Sequence, residues 1–198
     1  MKKIFILSLF FFTISLTNFN IAYSISPDVF IQSTVNKAST VLSKDISKSE
    51  KMDQLKIIAN ETVDIKGIGY YSLGATRKIL SDTQIENYLN LFEKYFLKSF
   101  SSRLAEYTNP EIEVKNKKKL NKNYTIVNSV LVGTKDRPEI RIDWRVYTKD
   151  TNNPLIRDLI IEGLSLARTQ KEEFSSIINS NNGDVNVLFE SLRNFSNN

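Results

Sequence analysis

Apolar residues recur at helical spacing in the first half of the chain, alternate with polar ones in the next third, and return to helical spacing near the end. Ser26-Pro27-Asp28 is a helix start, because Ser can cap and Pro suits the first helical position. Val29, Phe30, Ala38, Val41 and Leu42 then predict a helix over 27–43. The polar stretch from Lys44 to Lys51 is expected to be a connection. Met52, Leu55, Ile58, Ala59 and Val63 predict a second helix. In 64–74, Gly67 and Gly69 each cost about 1 kcal/mol relative to Ala in a helix interior. Either this helix is short and irregular or something packs closely against it, and a close helix–sheet contact is expected. Ser81-Asp82-Thr83-Gln84 fits a capping box, in which Ser accepts from a first-turn amide and Gln reaches back. Ile85, Tyr88, Leu89, Phe92, Tyr95, Phe96, Phe100, Leu104 and Tyr107 place one apolar face on a helix over 82–107. Asn109-Pro110 ends it, since Pro disfavours helix in the residue before it.

The period then becomes two. Glu111–Val114 and Tyr124–Val132 read as strands joined by a turn rich in Lys and Asn. Ile140, Ile142, Trp144 and Val146 alternate with charged residues, as in a half-buried antiparallel strand, and Leu155–Glu162 is a further strand. Leu166, Gln170, Phe174, Ile177 and Ile178 face one way on a helix that Asn181-Asn182-Gly183 stops. Asp184 can cap a last helix with Val185, Leu188, Leu192 and Phe195 on its apolar side. This order predicts an α+β fold: a curved antiparallel sheet of about four strands, with helices packed on one face and an apolar pocket enclosed.

The N-terminus changes the compartment. Lys2 and Lys3 precede an almost wholly apolar run from Ile4 to Leu16, and Ala22 and Ser24 have the small-residue spacing of a cleavage site. Residues 1–24 are expected to be a signal peptide and 25–198 a single domain. The apolar run is short for a membrane span, which needs about 20 residues. The leader holds two Lys and no acid, so the net charge of +5 becomes +3 without it. That is far below the charge density of a nucleic-acid binder, and no nucleic-acid partner is expected. The chain has no Cys and no His, which removes disulfides, thiol nucleophiles, the usual zinc ligands and the commonest general base. No cofactor is expected.

The strand-to-helix junction Asp158-Leu159-Ile160-Ile161-Glu162-Gly163-Leu164-Ser165-Leu166, followed by Phe174, resembles a motif of the MlaC family, periplasmic phospholipid-binding proteins also called the toluene-tolerance family. Asp158, Glu162, Gly163, Ser165, Leu166 and Phe174 match without a gap. Asp64, Leu73 and Gly74 match a second family block, with Val63 where Phe is usual and Arg77 where Trp is usual. Gln170 and Lys171 replace the family's tyrosine and arginine, and Pro154 stands where a Trp is usual. The resemblance implies a carrier that holds acyl chains between sheet and helices, keeps the headgroup largely outside, and serves outer-membrane lipid asymmetry. It further implies shuttling across the periplasm of a Gram-negative bacterium, between an outer-membrane lipoprotein complex and an inner-membrane ABC transporter complex.

On that reading the lipid-binding wall comprises Phe92, Tyr95, Phe96, Phe100 and Leu104 of the long helix. Val130, Val132, Ile140, Ile142, Trp144, Val146, Leu159 and Ile161 come from the strands, and Phe174 and Ile178 from the next helix. The same stripe on 82–107 also suits an ordinary core. Arg77, Lys78, Arg157 and Lys171 are the candidates for a headgroup at the mouth, since a phosphate is best met by Arg or Lys; each equally suits a solvated surface. Lys115, Lys117, Lys118, Lys119 and Lys122 form a basic run that reads as a solvated turn, or as a dock for anionic lipid or an acidic partner. Asp158 and Glu162, four apart on a strand, could act as acid and base, but no nucleophile–base constellation accompanies them. Two alternatives remain: an α+β enzyme of the ketosteroid-isomerase type, which would need a buried acid in its cavity without a basic partner, and a lipid-free envelope adaptor.

Overall fold

A computed structural model describes residues 24–135 and 137–197; the predicted signal peptide lies outside them, save Ser24. Three helices come first: α1 (Pro27–Ser43), α2 (Lys48–Thr62) and α3 (Ile65–Ser72). A single 3₁₀ turn, Thr76–Lys78, leads to α4 (Asp82–Leu104). A meander follows: β1 (Ile112–Lys119), β2 (Tyr124–Leu131), β3 (Ile140–Tyr147), β4 (Leu155–Ile161) and the two-residue β5 (Leu164–Ser165). The chain ends in α5 (Leu166–Ser180) and α6 (Val185–Asn197). The strands form one antiparallel sheet in the order β1-β2-β3-β4-β5, so the α+β class holds with five strands where about four were expected.

The helix starts follow from local chemistry. Ser81 and Gln84 form the expected capping box of α4. A second one, Ser47 with Glu50, starts α2 inside the stretch expected to be a connection. The Asp64 carboxylate caps α3 by accepting from Gly67 N at 2.9 Å. Gly69 lies against α4, where an added Cβ would come within 2.6 Å of the Phe92 ring. The close contact expected between this segment and the sheet is instead between two helices, because the Phe92 and Leu89 side chains of α4 occupy the space beside Gly69. α4 stops at Leu104, three residues before Tyr107, whose ring still packs on the core and carries the Arg137 guanidinium 5.4 Å from its centre.

Alternation along the strands gives the sheet a covered and a solvated face. Thr125, Val127, Ser129 and Leu131 of β2 stand opposite Val146, Trp144, Ile142 and Ile140 of β3 on the covered face. The other face carries paired polar groups: Asn128 donates to Asp143 at 2.7 Å, and the Tyr124 and Tyr147 rings lie 5.2 Å apart. α1, α3 and α5 pack on the sheet, while α4 finds its main partners in α2, α3 and α6. At the free edge of β4, Val63 bridges Ile156 in parallel, and Asp64 N donates to the Ile156 carbonyl at 2.9 Å.

The junction between sheet and last helices turns on Asp158, only 3% exposed. Its carboxylate accepts from Ala167 N at 3.0 Å and from the Ser165 hydroxyl at 2.7 Å, and Arg145 lies 3.4 Å away. Ser165 in turn caps α5 by accepting from Arg168 N at 3.1 Å. Between them, Glu162 and Gly163 make a two-residue hairpin turn with φ of 49° and 84°. Such a turn requires left-handed backbone at both positions, which Gly adopts freely. Glu162 therefore sits in a turn and not on a strand beside Asp158, and its carboxylate accepts from Arg141 N.

Removing a buried carboxylate that holds an arginine and a helix N-terminus leaves those donors unpaired, at a cost of about 3 kcal/mol. Asp158→Ala is expected to lower the thermal midpoint by roughly 10 °C, measured by circular dichroism. Tyr88 offers the opposite case. It is wholly buried and its hydroxyl has no partner among the described residues, and burial pushes its phenol well above the ordinary value, with Tyr95 adding to the shift. Tyr88→Phe, which deletes only that hydroxyl, is expected to leave the midpoint unchanged or raise it by a few degrees in the same melt.

Candidate functional site

The interior between sheet and helices is one continuous apolar core. The sheet contributes Val127, Leu131, Ile142, Trp144, Val146 and Ile156, with Ile140 and Leu159 half-buried at the rim. The helices contribute the α4 row of Tyr88, Phe92, Tyr95, Phe96 and Phe100, with Phe174 and Ile178 of α5 and Leu188, Phe189 and Leu192 of α6. Because the backbone of α4 packs mainly on other helices, its aromatic row joins this core through long side chains.

Those rings rest on one another. Phe92 lies 6.0 Å from Phe96 and 6.2 Å from both Tyr95 and Phe174, and Phe96 stacks on Phe100 at 5.6 Å with planes 9° apart. Tyr95 donates to the Gln170 side-chain carbonyl at 3.0 Å across α4 and α5. On the sheet, Trp144 Nε1 donates to Ser129 Oγ at 2.8 Å, and Ser129 Oγ donates to the Ile142 carbonyl at 3.0 Å. A polar residue thus sits in the apolar face with its hydroxyl fully used.

Most predicted wall residues meet in this core: Phe92, Ile142, Trp144, Val146, Phe174 and Ile178 are buried, and Tyr95, Phe96, Phe100, Ile140 and Leu159 half-buried. Ile161 stands opposite Ile142 at the end of β4. Three positions are corrected. Val130 lies on the other face of β2, opposite Arg141, because alternation puts Val127 and Leu131 inward. Val132 lies beyond the end of β2, and its N–H donates to the Glu111 carbonyl at 2.8 Å. Leu104 packs in a separate cluster with Val41, Leu42 and Leu55, because one helical turn past Phe100 the α4 face meets α2.

The predicted mouth cations divide. Arg157 is engaged: its guanidinium contacts the Asp64 carboxylate at 2.5 Å, donates to the Tyr124 hydroxyl at 2.8 Å and lies 3.8 Å from the Tyr147 ring centre. Burial works against its charge, but the Tyr124 and Asp64 hydrogen bonds outweigh this and hold its pKa above the ordinary value. It is a clamp between the α3 start and the solvated face of the sheet. Arg77 and Lys171 gather at the other end of α3, over the exposed rings of Tyr70 and Tyr71 at 5.2 and 5.5 Å. Lys171 also flanks Gly74, whose φ is 57°. Lys78 is exposed nearby.

Two grooves open on the surface. One of about 810 Å³ runs between α1 and α2, from Val29 to Glu61, and one of about 590 Å³ lies between α1 and β1. None of the predicted wall residues lines either. The acid sought by the enzyme reading, buried and without a basic partner, is not Asp158, which faces Arg145. Among the described residues no group of three or more His, Cys, Asp or Glu side chains could hold a metal.

The fold is similar to that of the phospholipid-binding protein from Ralstonia solanacearum, solved in complex with a phospholipid. The TM-score is 0.72 at 17% identity, over 87% of this chain and 97% of that one. Among curated proteins nothing matches. The family description "MlaC protein" matches residues 32–194, most of the chain. The chain therefore belongs to the MlaC family.

Proposed function

We propose that the protein is a periplasmic phospholipid carrier, exported by a cleaved leader at residues 1–24. It takes acyl chains between the covered face of the sheet and the aromatic row of α4. It exchanges lipid between an outer-membrane lipoprotein complex and an inner-membrane ABC transporter complex. The reading rests on membership of the MlaC family, together with likeness of fold to a protein that holds a phospholipid.

The interior suits that role physically. It is apolar, and its α4 side is built from side chains that can turn aside without moving a helix backbone held by α2, α3 and α6. Each buried methylene contributes about 0.8 kcal/mol, so two acyl chains supply ample affinity without any polar motif. That gain offsets the parting of the rings stacked in this core. Arg77 and Lys171 then meet the phosphate beside Gly74. No reaction is required of any residue, and Asp158, the one deeply buried acid among the described residues, is committed to holding α5.

The exported protein, purified without detergent, is expected to show a stoichiometric phospholipid adduct by native mass spectrometry. Phe96→Asp is expected to abolish that adduct while sparing export, because Phe96 is only half-buried, whereas Phe92 at 1% exposure is needed for folding itself. A protein that carries no lipid and accepts none from vesicles would overturn the reading in favour of a lipid-free adaptor.

A further inference from the structure

We propose that the β1–β2 tip is a docking tip for anionic bilayer surfaces. β1 is the edge strand, and it continues through the lysine run to Lys119, where a turn had been expected from Lys115 onward. A register shift between Val114 and Asn116 changes which side each following residue takes. Two lysines of the run are neutralised: Lys115 by Glu113, and Lys117 by Asp28 at 2.8 Å. Lys117 and Ser26 hold the Asp28 carboxyl well below the usual range, at about 2. Lys118, Lys119 and Lys122 are exposed and make no ion pair with any described residue.

Other segments converge on the same end. Thr148 N donates to the Asn123 carbonyl at 2.8 Å, which brings the exposed and unpaired Lys149 alongside. Ile25 N donates to the Thr151 carbonyl at 2.9 Å. The nearby acid, Asp150, keeps its charge, since hydrogen bonds from Asn153 and Asn152 hold its carboxyl below the ordinary value, and it offsets part of this charge. Four lysines without an ion pair among the described residues thus outnumber one acid around an apex that exposes Leu120 at 47%, with Ile25 at 41% on the same end.

Protection of a sheet edge explains lysines along β1. It does not explain Lys122 and Lys149, which lie off the edge, nor a leucine presented at the apex. A bilayer of anionic lipid accounts for all of these. Each lysine near such a surface strengthens binding about fivefold, and a single apolar side chain enters the headgroup region without needing a shaped partner. A protein partner would call for a complementary surface, and neither of the two grooves described above includes the apex. This inference does not depend on lipid carriage, because it concerns the bilayer surface and not a lipid held inside.

Flotation of the exported protein with vesicles tests it. Binding is expected to vesicles of phosphatidylglycerol and phosphatidylcholine, not to phosphatidylcholine alone, and to fall as screening shortens with added salt. The triple substitution Lys118→Glu, Lys119→Glu, Lys122→Glu is expected to weaken binding by at least about a hundredfold. Leu120→Ser is expected to weaken it several-fold, and an unchanged melt should accompany both variants because all four side chains are exposed. Equal binding to neutral vesicles, undiminished binding by the triple variant, or attachment only to an acidic protein would overturn the proposal. Native mass spectrometry of the same samples reads lipid carriage separately.

Discussion

A single buried carboxylate organises the junction on which this molecule depends. Asp158 sits opposite Arg145 next to the register shift of β4, and it holds the amide of Ala167 and the hydroxyl of Ser165. Burying a carboxylate is tolerable only when its charge is met by close donors. Here those donors come from a neighbouring strand, the hairpin return and a helix start. The charge therefore fixes where the sheet ends, how sharply the chain reverses at Glu162-Gly163, and the angle at which α5 sets out. Phe174 and Ile178 reach the core because α5 begins where it does.

The core itself has two kinds of contact. α1, α3 and α5 bring backbone close to the strands, whereas α4 sends in aromatic side chains from behind. Backbone packing of the first kind resists displacement, since a helix moves as a whole. Ring-on-ring packing of the second kind yields by rotation about side-chain bonds. One wall of each kind gives the interior a side that holds its position and a side that can yield.

Much of this was legible in the sequence where a pattern had one physical meaning. The capping box at Ser81, the alternation of β3 and the stop at Asn181–Gly183 each imply their local structure, and the junction motif pointed to the family, although the strand was expected to run through Glu162 where the chain in fact turns. What failed had competing patterns. On β2 the apolar residues Ile126, Val130 and Val132 share one register, yet the covered face is the other, because Ser129 satisfies its hydroxyl on the Ile142 carbonyl while serving Trp144. The first turn of α2 carries no apolar residue, so only its cap marked it. Lysines disguised the outer half of β1 as a turn. Arg157 read as a free cation because its partner, Asp64, lies far away in the chain and beyond the reach of any periodicity.

That long separation has a bearing on the order in which the fold assembles. The meander from β1 to β4 is built from neighbours in sequence and can pair as soon as each hairpin is available. The latch formed by Val63 and Asp64 with Ile156 and Arg157 joins residues some ninety positions apart, so its closure carries a larger entropic cost. On the proposed export route Val63 and Asp64 emerge first, and the latch closes only once β4, whose edge they cover, has paired with β3.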